Sequence, residues 1–150
     1  MKGKFLGTQS ELSALDTYIK LTRATDAVAN AVHSHLTKEK LTISQFGVLE
    51  ALYHLGPMCQ RDAAKKILKS TANITTVIDN LEKRGLVERW RGKEDRRYIT
   101  LHLTKPGKEC IERLFPCHLR GIVNSFKVLT VEEQNQLAQL CKKLGLAQEK

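Results

Sequence analysis

At Gly85 the spacing of the apolar residues changes, and that change restricts the fold more than any other feature of the chain. Before the glycine, Ile74, Val77, Ile78 and Leu81 recur at the three- and four-residue intervals that gather side chains on one face of a helix, so Thr71 to Lys83 is predicted helical. Arg84 and Gly85 supply the basic last turn and C-terminal glycine that close it. After the glycine the period becomes two. Leu86, Val87, Glu88, Arg89 and Trp90 suit a strand, Gly92 to Arg96 a loop, and Tyr98, Ile99, Leu101 and Leu103 a returning strand. A helix therefore leads directly into a β-hairpin whose tip carries Arg91, Lys93, Glu94, Asp95, Arg96 and Arg97.

The remainder of the chain reads as helices. Ser10 to about His35 carries Leu12, Leu15, Ile19, Val28, Ala31 and Val32 with no Pro or Gly between, which predicts one long helix. In LTISQFGVLEALYHLGP, Thr42 and Gln45 have capping-box spacing, Ile43, Phe46, Leu49 and Tyr53 form a stripe, and Gly56 with Pro57 ends the helix. Arg61 to Leu68 predicts a short helix with Ala63, Ala64, Ile67 and Leu68 on one side, followed by a turn at Lys69 and Ser70. After Thr104, Pro106 and Gly107 comes a helix carrying Ile111, Leu114, Ile122, Val123 and Phe126, which Pro116 should kink or interrupt. Thr130 and Glu133 open a last helix with Leu137, Leu140, Cys141 and Leu144 on one face.

The fold class is thus mainly α with a small β-hairpin wing, and residues 42–104 have the order of a winged helix-turn-helix. In that arrangement the second of two closely joined helices lies in the DNA major groove and the hairpin reaches the neighbouring backbone or minor groove. Charge agrees in placement. Of 25 Lys and Arg and 16 Asp and Glu in 150 residues, positions 60 to 113 hold 14 and 8, a local excess of six positive charges within a net +9.

Other classes find little support. No stretch has the apolar length of a spanning helix, and the N-terminus lacks a signal-peptide block, which predicts a cytoplasmic protein without membrane contact. Phosphate-loop, nucleophile-elbow and zinc-protease signatures are missing, so no enzymatic activity and no cofactor are expected. Cys59, Cys110, Cys117 and Cys141 lack CxxC pairing, and the five histidines are scattered, with His33 and His35 expected on different sides of a helix, so no metal site is assigned. Cys110 and Cys117, seven apart, are the candidates for a redox role if a thiol is activated, with core packing as the default.

Three segments, LTISQFGVLEALYHLGP, ANITTVIDNLEKRGLVER and KEDRRYITLHLTKPGKE, resemble the MarR family of bacterial transcription regulators over about Leu41 to Glu109. The combination of EKRGLVER with EDRR and LT..G carries the likeness. The resemblance implies a single MarR-like domain over residues 1–150, with residues 10–36 and 107–147 as dimerisation helices. It also implies an obligate homodimer on a pseudo-palindromic double-stranded DNA operator, and a repressor released by a small, often aromatic or phenolic, effector. The family's wing pattern gives Asp95 a bracing role and Arg97 a phosphate or minor-groove role. Many members have a recognition-helix arginine where this chain has Thr76, which leaves Ser70, Thr71, Asn73, Thr75 and Thr76 as candidate readers in the recognition helix and the turn before it, and Arg91, Lys93, Arg96 and Arg97 as the wing contacts. Asp79 is expected to brace the recognition helix, and Trp90 to anchor its strand in the core.

Overall fold

The computed structural model describes residues 5–67 and 71–149, with Thr71 and Ala72 described by backbone alone. In chain order the elements are α1 (Gln9–His33), a 3-10 turn (Ser34–Glu39), α2 (Ile43–Leu55), β1 (Met58–Cys59), α3 (Gln60–Lys66), α4 (Thr71–Lys83), β2 (Val87–Arg91), β3 (Ile99–Leu103), α5 (Lys105–Phe126) and α6 (Val131–Leu146). The fold is mainly helical with a small three-stranded antiparallel wing, strand order β1-β3-β2.

Local chemistry sets most boundaries. Thr42 and Thr130 each accept from the backbone N–H three residues on, while Gln45 and Glu133 reach back to the capping residue's N–H, so both predicted capping boxes form. Gly56 (φ 82°) and Gly85 (φ 70°) take the positive φ that lets the chain leave α2 and α4. The hairpin register pairs Val87 with Leu103 and Arg91 with Ile99.

Four expectations are corrected. The first helix ends at His33, and the next six residues wind as a 3-10 turn closed by Lys40 at φ 52°, so His35 lies outside the α-helix. The wing has a third strand: Met58 pairs with Leu101 and Cys59 with Thr100, a partnership fixed by residues some forty positions away that a two-residue strand cannot announce. Pro116 does not interrupt α5, which is assigned continuously from Lys105 to Phe126. The missing N–H costs one helical bond, and burial of Ile111, Leu114 and His118 on either side offsets it. The short helix was expected at Arg61 to Leu68; it runs Gln60–Lys66 with Ala63 and Ala64 buried, while Leu68 and the turn at Lys69 and Ser70 lie outside the described residues.

The chain divides into two compact units. One joins α1 as far as Val32 to the residues from Gly121 onward, and the other is His33–Arg120. In the second, Phe46, Leu49, Ile74, Ile78, Leu81, Leu101 and Ile111 are almost completely buried in one core drawn from α2, α4, β3 and α5. The join between wing and α5 is tight. Thr104 Oγ1 donates to the Gly85 carbonyl at 2.6 Å and accepts from Gly107 N–H at 3.0 Å, and a Cβ on Gly107 would stand 1.9 Å from the Leu86 carbonyl oxygen. In the first unit, α1 and α6 leave Leu12, Leu15, Tyr18, Leu140 and Leu144 exposed. Among the described residues no helix is long and apolar enough to cross a membrane.

Candidate nucleic-acid interface

Helix α4 is sharply two-sided. Ile74, Val77, Ile78 and Leu81 are buried, which leaves Asn73, Thr75 and Thr76 exposed. Ser70 lies outside the described residues, and Thr71 is placed only by its position at the start of α4. The exposed side carries short polar groups, of the kinds that pair with base edges or phosphates in protein–DNA interfaces, without the long flexible stem of Lys. Gln60, the first residue of α3, donates from Nε2 to Thr75 Oγ1 at 2.7 Å and so links the two helices of the motif.

Strand β2 is joined to α4 by charge. The Arg89 guanidinium donates through Nη2 to Asp79 Oδ1 at 2.6 Å and through Nη1 to the Glu82 carboxylate. Asp79 thus braces α4 against the wing, and a single half-buried arginine offsets one of the two negative charges on this side of α4, which lowers the repulsion they would exert on a phosphate chain.

Past Arg91 the loop turns at Gly92, where a Cβ would stand 2.5 Å from the Asp95 carbonyl oxygen; Gly92 N–H donates to the Tyr98 carbonyl at 2.8 Å. The Asp95 carboxylate accepts from Arg97 N–H at 2.9 Å, and its carbonyl from Tyr98 N–H at 3.1 Å. The Arg97 side chain is 97% exposed, its Nε 3.9 Å from the same carboxylate. Arg91, Lys93 and Arg96 are exposed as well. The turn therefore presents four cations beside two carboxylates, of which Asp95 is engaged with the backbone and Glu94 is exposed.

Trp90 is not a core anchor. It is 54% exposed and stacks on the His102 ring with centroids 3.8 Å apart, while Thr100 Oγ1 lies 2.8 Å from His102 Nε2. Alternation had put it on one side of the strand without telling which side faced the core: Val87 and Leu101 take the inner one.

Three of the five histidines, scattered in sequence, converge. Because the 3-10 turn replaces the last helical turn, His33 and His35 both come to rest beside His118, each with ring centroids 5.5 Å from it, and Phe46 packs on His118 at 4.5 Å. His118 is 5% exposed and its Nδ1 has no hydrogen-bond partner among the described residues. Burial, with smaller contributions from His33 and His35, lowers its pKa to about 4, so the ring is neutral near pH 7. Next to this cluster is an open cavity of about 360 Å³ lined among others by His33, Phe46, Glu50, His54, Lys66 and Ile67. Among the described residues no group of three or more His, Cys, Asp or Glu is arranged to hold a metal ion.

All four cysteines are free. Cys110 is half-buried against the core and burial pushes its thiol pKa up, which works against thiolate formation; Cys117 is exposed.

Sequence reasoning did not find Gln60, the Arg89 bridge or the histidine cluster. Each depends on a contact between distant elements. None of the three had a local signal: in β2, Arg89 is one of three charged residues with Glu88 and Arg91.

The model of the MarR family matches residues 41–99. Two regulators of Bacillus subtilis (strain 168), the HTH-type transcriptional regulators YkoM and MhqR, are each 32% identical over 133 residues, 89% of this chain and 86% and 92% of theirs. Among solved structures, Bordetella bronchiseptica BpsR, whose DNA binding is regulated by 6-hydroxynicotinic acid, superimposes with a TM-score of 0.78 at 26% identity, covering 87% of this chain and 98% of its own. With the helix-turn-helix, the wing and these relatives in agreement, the chain belongs to the MarR family of DNA-binding transcriptional regulators.

Proposed function

We propose that the protein is a homodimeric repressor that binds a pseudo-palindromic operator and is released by a small organic effector. The observation that carries the reading is the pairing of α4's exposed Asn73, Thr75 and Thr76 with a wing turn bearing Arg91, Lys93, Arg96 and Arg97, the two held together by Arg89. Residues 42–104 form the DNA-binding part. Asn73 and the threonines select among sequences, with Ser70 and Thr71 further candidates by their place in the sequence, and the wing cations neutralise phosphates. Asp95 braces the wing. Residues 10–36 and 107–147 supply the dimer contact, and the exposed apolar residues of α1 and α6 are the surface it covers. Two copies related by a two-fold axis read half-sites about 10 base pairs apart, centre to centre.

The cavity beside His33, Glu50, His54 and Lys66 is the candidate effector site. Its apolar lining by Ile43, Phe46, Leu55 and Ile67, with the Lys66 ammonium to meet a carboxylate and Glu50 to accept from a ligand hydroxyl, suits a hydroxylated aromatic acid, the chemical class of the 6-hydroxynicotinic acid that acts on BpsR. Such a ligand relieves repression only by binding the non-operator conformation better than the operator-bound one.

The test is selection from randomised duplex DNA at near-physiological salt. A two-fold symmetric motif, and its loss on adding an aromatic acid, is the expected result. Tight low-salt binding without enrichment of any motif would replace this reading with a generic polyanion surface.

A further inference from the structure

Gln60 was not among the residues expected to touch DNA, yet it determines what Thr75 offers. Its Nε2 donates to Thr75 Oγ1 at 2.7 Å across 15 positions of sequence, and both side chains lie at the surface. Gln60 begins α3, where no side chain caps the helix, so its amide is not spent on the helix end.

The direction of that bond has a consequence. A threonine hydroxyl both donates and accepts, and alone it pairs with either kind of base edge. Here one of the two oxygen lone pairs receives the Gln60 amide, so the hydroxyl hydrogen, which is not used in that bond, is free to donate outward. Gln60 Oε1 has no donor among the described residues. The pair therefore presents one donor and one acceptor side by side, next to Asn73 and Thr76 on the surface assigned to the major groove.

We propose that Gln60 and Thr75 act as one composite reader that selects adenine over guanine at a single base pair of each half-site. Adenine shows N7 as acceptor and the N6 amino group as donor, which match the Thr75 hydroxyl and the Gln60 oxygen. Guanine shows N7 and O6, both acceptors, and its O6 faces Gln60 Oε1 with no hydrogen between them. Gln60 is in this sense a positioning residue that also touches the base. The inference rests on the reading of α4 as the recognition helix.

The experiment selects operators separately with the wild-type chain and with the Gln60→Ala, Thr75→Val and double variants, and compares the preference at every position. The expected result is an adenine preference of about tenfold at one position per half-site in the wild type. Each single change abolishes it, the double variant is no worse than either, and the other positions are unchanged. The Gln60→Glu variant provides a gain to look for. Its carboxylate only accepts and takes up the Thr75 hydrogen, so the preferred base becomes cytosine, whose N4 amino group donates. If the variants keep the wild-type motif at every position, or lose affinity equally for all duplexes, Gln60 only braces α4 and the proposal is overturned. Failure of the wild type to enrich any motif would instead remove the operator-binding reading itself.

Discussion

Arg89 Nη2 lies 2.6 Å from Asp79 Oδ1, and through this pair the first long strand of the wing is fastened to the middle of α4. The other nitrogen of the same fork holds Glu82, three residues along the same helix side. Replacing Arg89 with Ala should cost about 1 kcal/mol of stability, since the pair is only partly shielded from water. It should weaken DNA binding on every sequence, because two carboxylates beside the phosphate path lose their counter-charge. Lysine should restore part of the charge but not the two-pronged geometry. Urea midpoints and binding isotherms on the selected operator check both effects; unchanged values in both would show that the fork is ornamental.

Asn73 and Arg97 should separate selectivity from affinity. The Arg97 side chain is almost fully exposed, so Arg97→Ala is expected to leave the thermal midpoint in place while lowering affinity for all duplexes and reducing the salt slope by about one per protomer. Asn73→Ala should narrow the gap between operator and random DNA with little change in slope. Wild-type affinity and selectivity in both variants would displace the interface from α4 and the wing.

Gly107→Ala should be among the most damaging small changes in the chain. The new methyl would have to share space with the Leu86 carbonyl oxygen, a backbone atom held at the junction of α4 and the wing. Forcing them apart should cost about 3 kcal/mol, as for other overpacked sites. Chemical denaturation measures it directly, and a loss below about half a kcal/mol would mean that the junction relaxes freely.

His118 makes stability depend on mild acid. Its folded pKa, about 4, lies below the ordinary value of 6.5, chiefly through burial. Between those two values the unfolded chain binds the proton and the folded chain does not, so the stabilisation is whole above about pH 6.5 and declines as pH falls toward 4. The loss across that window is on the order of 3 kcal/mol. Carboxylates titrate in the same range, so the informative quantity is the difference between wild type and His118→Leu, measured by denaturant midpoints at several pH values. Parallel curves for the two proteins would refute the assignment.

What was legible in the sequence was local. Thr42 with Gln45, and Thr130 with Glu133, form their capping boxes because every atom involved lies within one helical turn. The Thr104 and Gly107 pair of the LT..G motif was readable as a signature, and its reason is now physical: the threonine hydroxyl bridges Gly85 and the start of α5, and the glycine leaves room for Leu86. Contacts across long separations were not legible. Trp90 alternates as a core residue would, but the side of the sheet that is buried is chosen by Val87 and Leu101 packing on distant helices. His33 and His35 would lie on different sides of one continuous helix, but the backbone tightens after His33 and brings both beside His118.

That tightened turn is not held by its own residues alone. Arg84, just past the end of α4, donates to the carbonyls of Lys40 at 2.9 Å and Glu39 at 3.2 Å, while Arg113 of α5 clasps the Glu39 carboxylate with both nitrogens at 2.6 and 3.0 Å and holds its pKa below the usual range. A segment tied in this way to two helices should not fray independently. In amide hydrogen exchange, residues 34–40 are expected to open as one cooperative unit with the last turn of α4, so that whatever disturbs the histidine-bearing turn also loosens the far end of the helix proposed to face DNA.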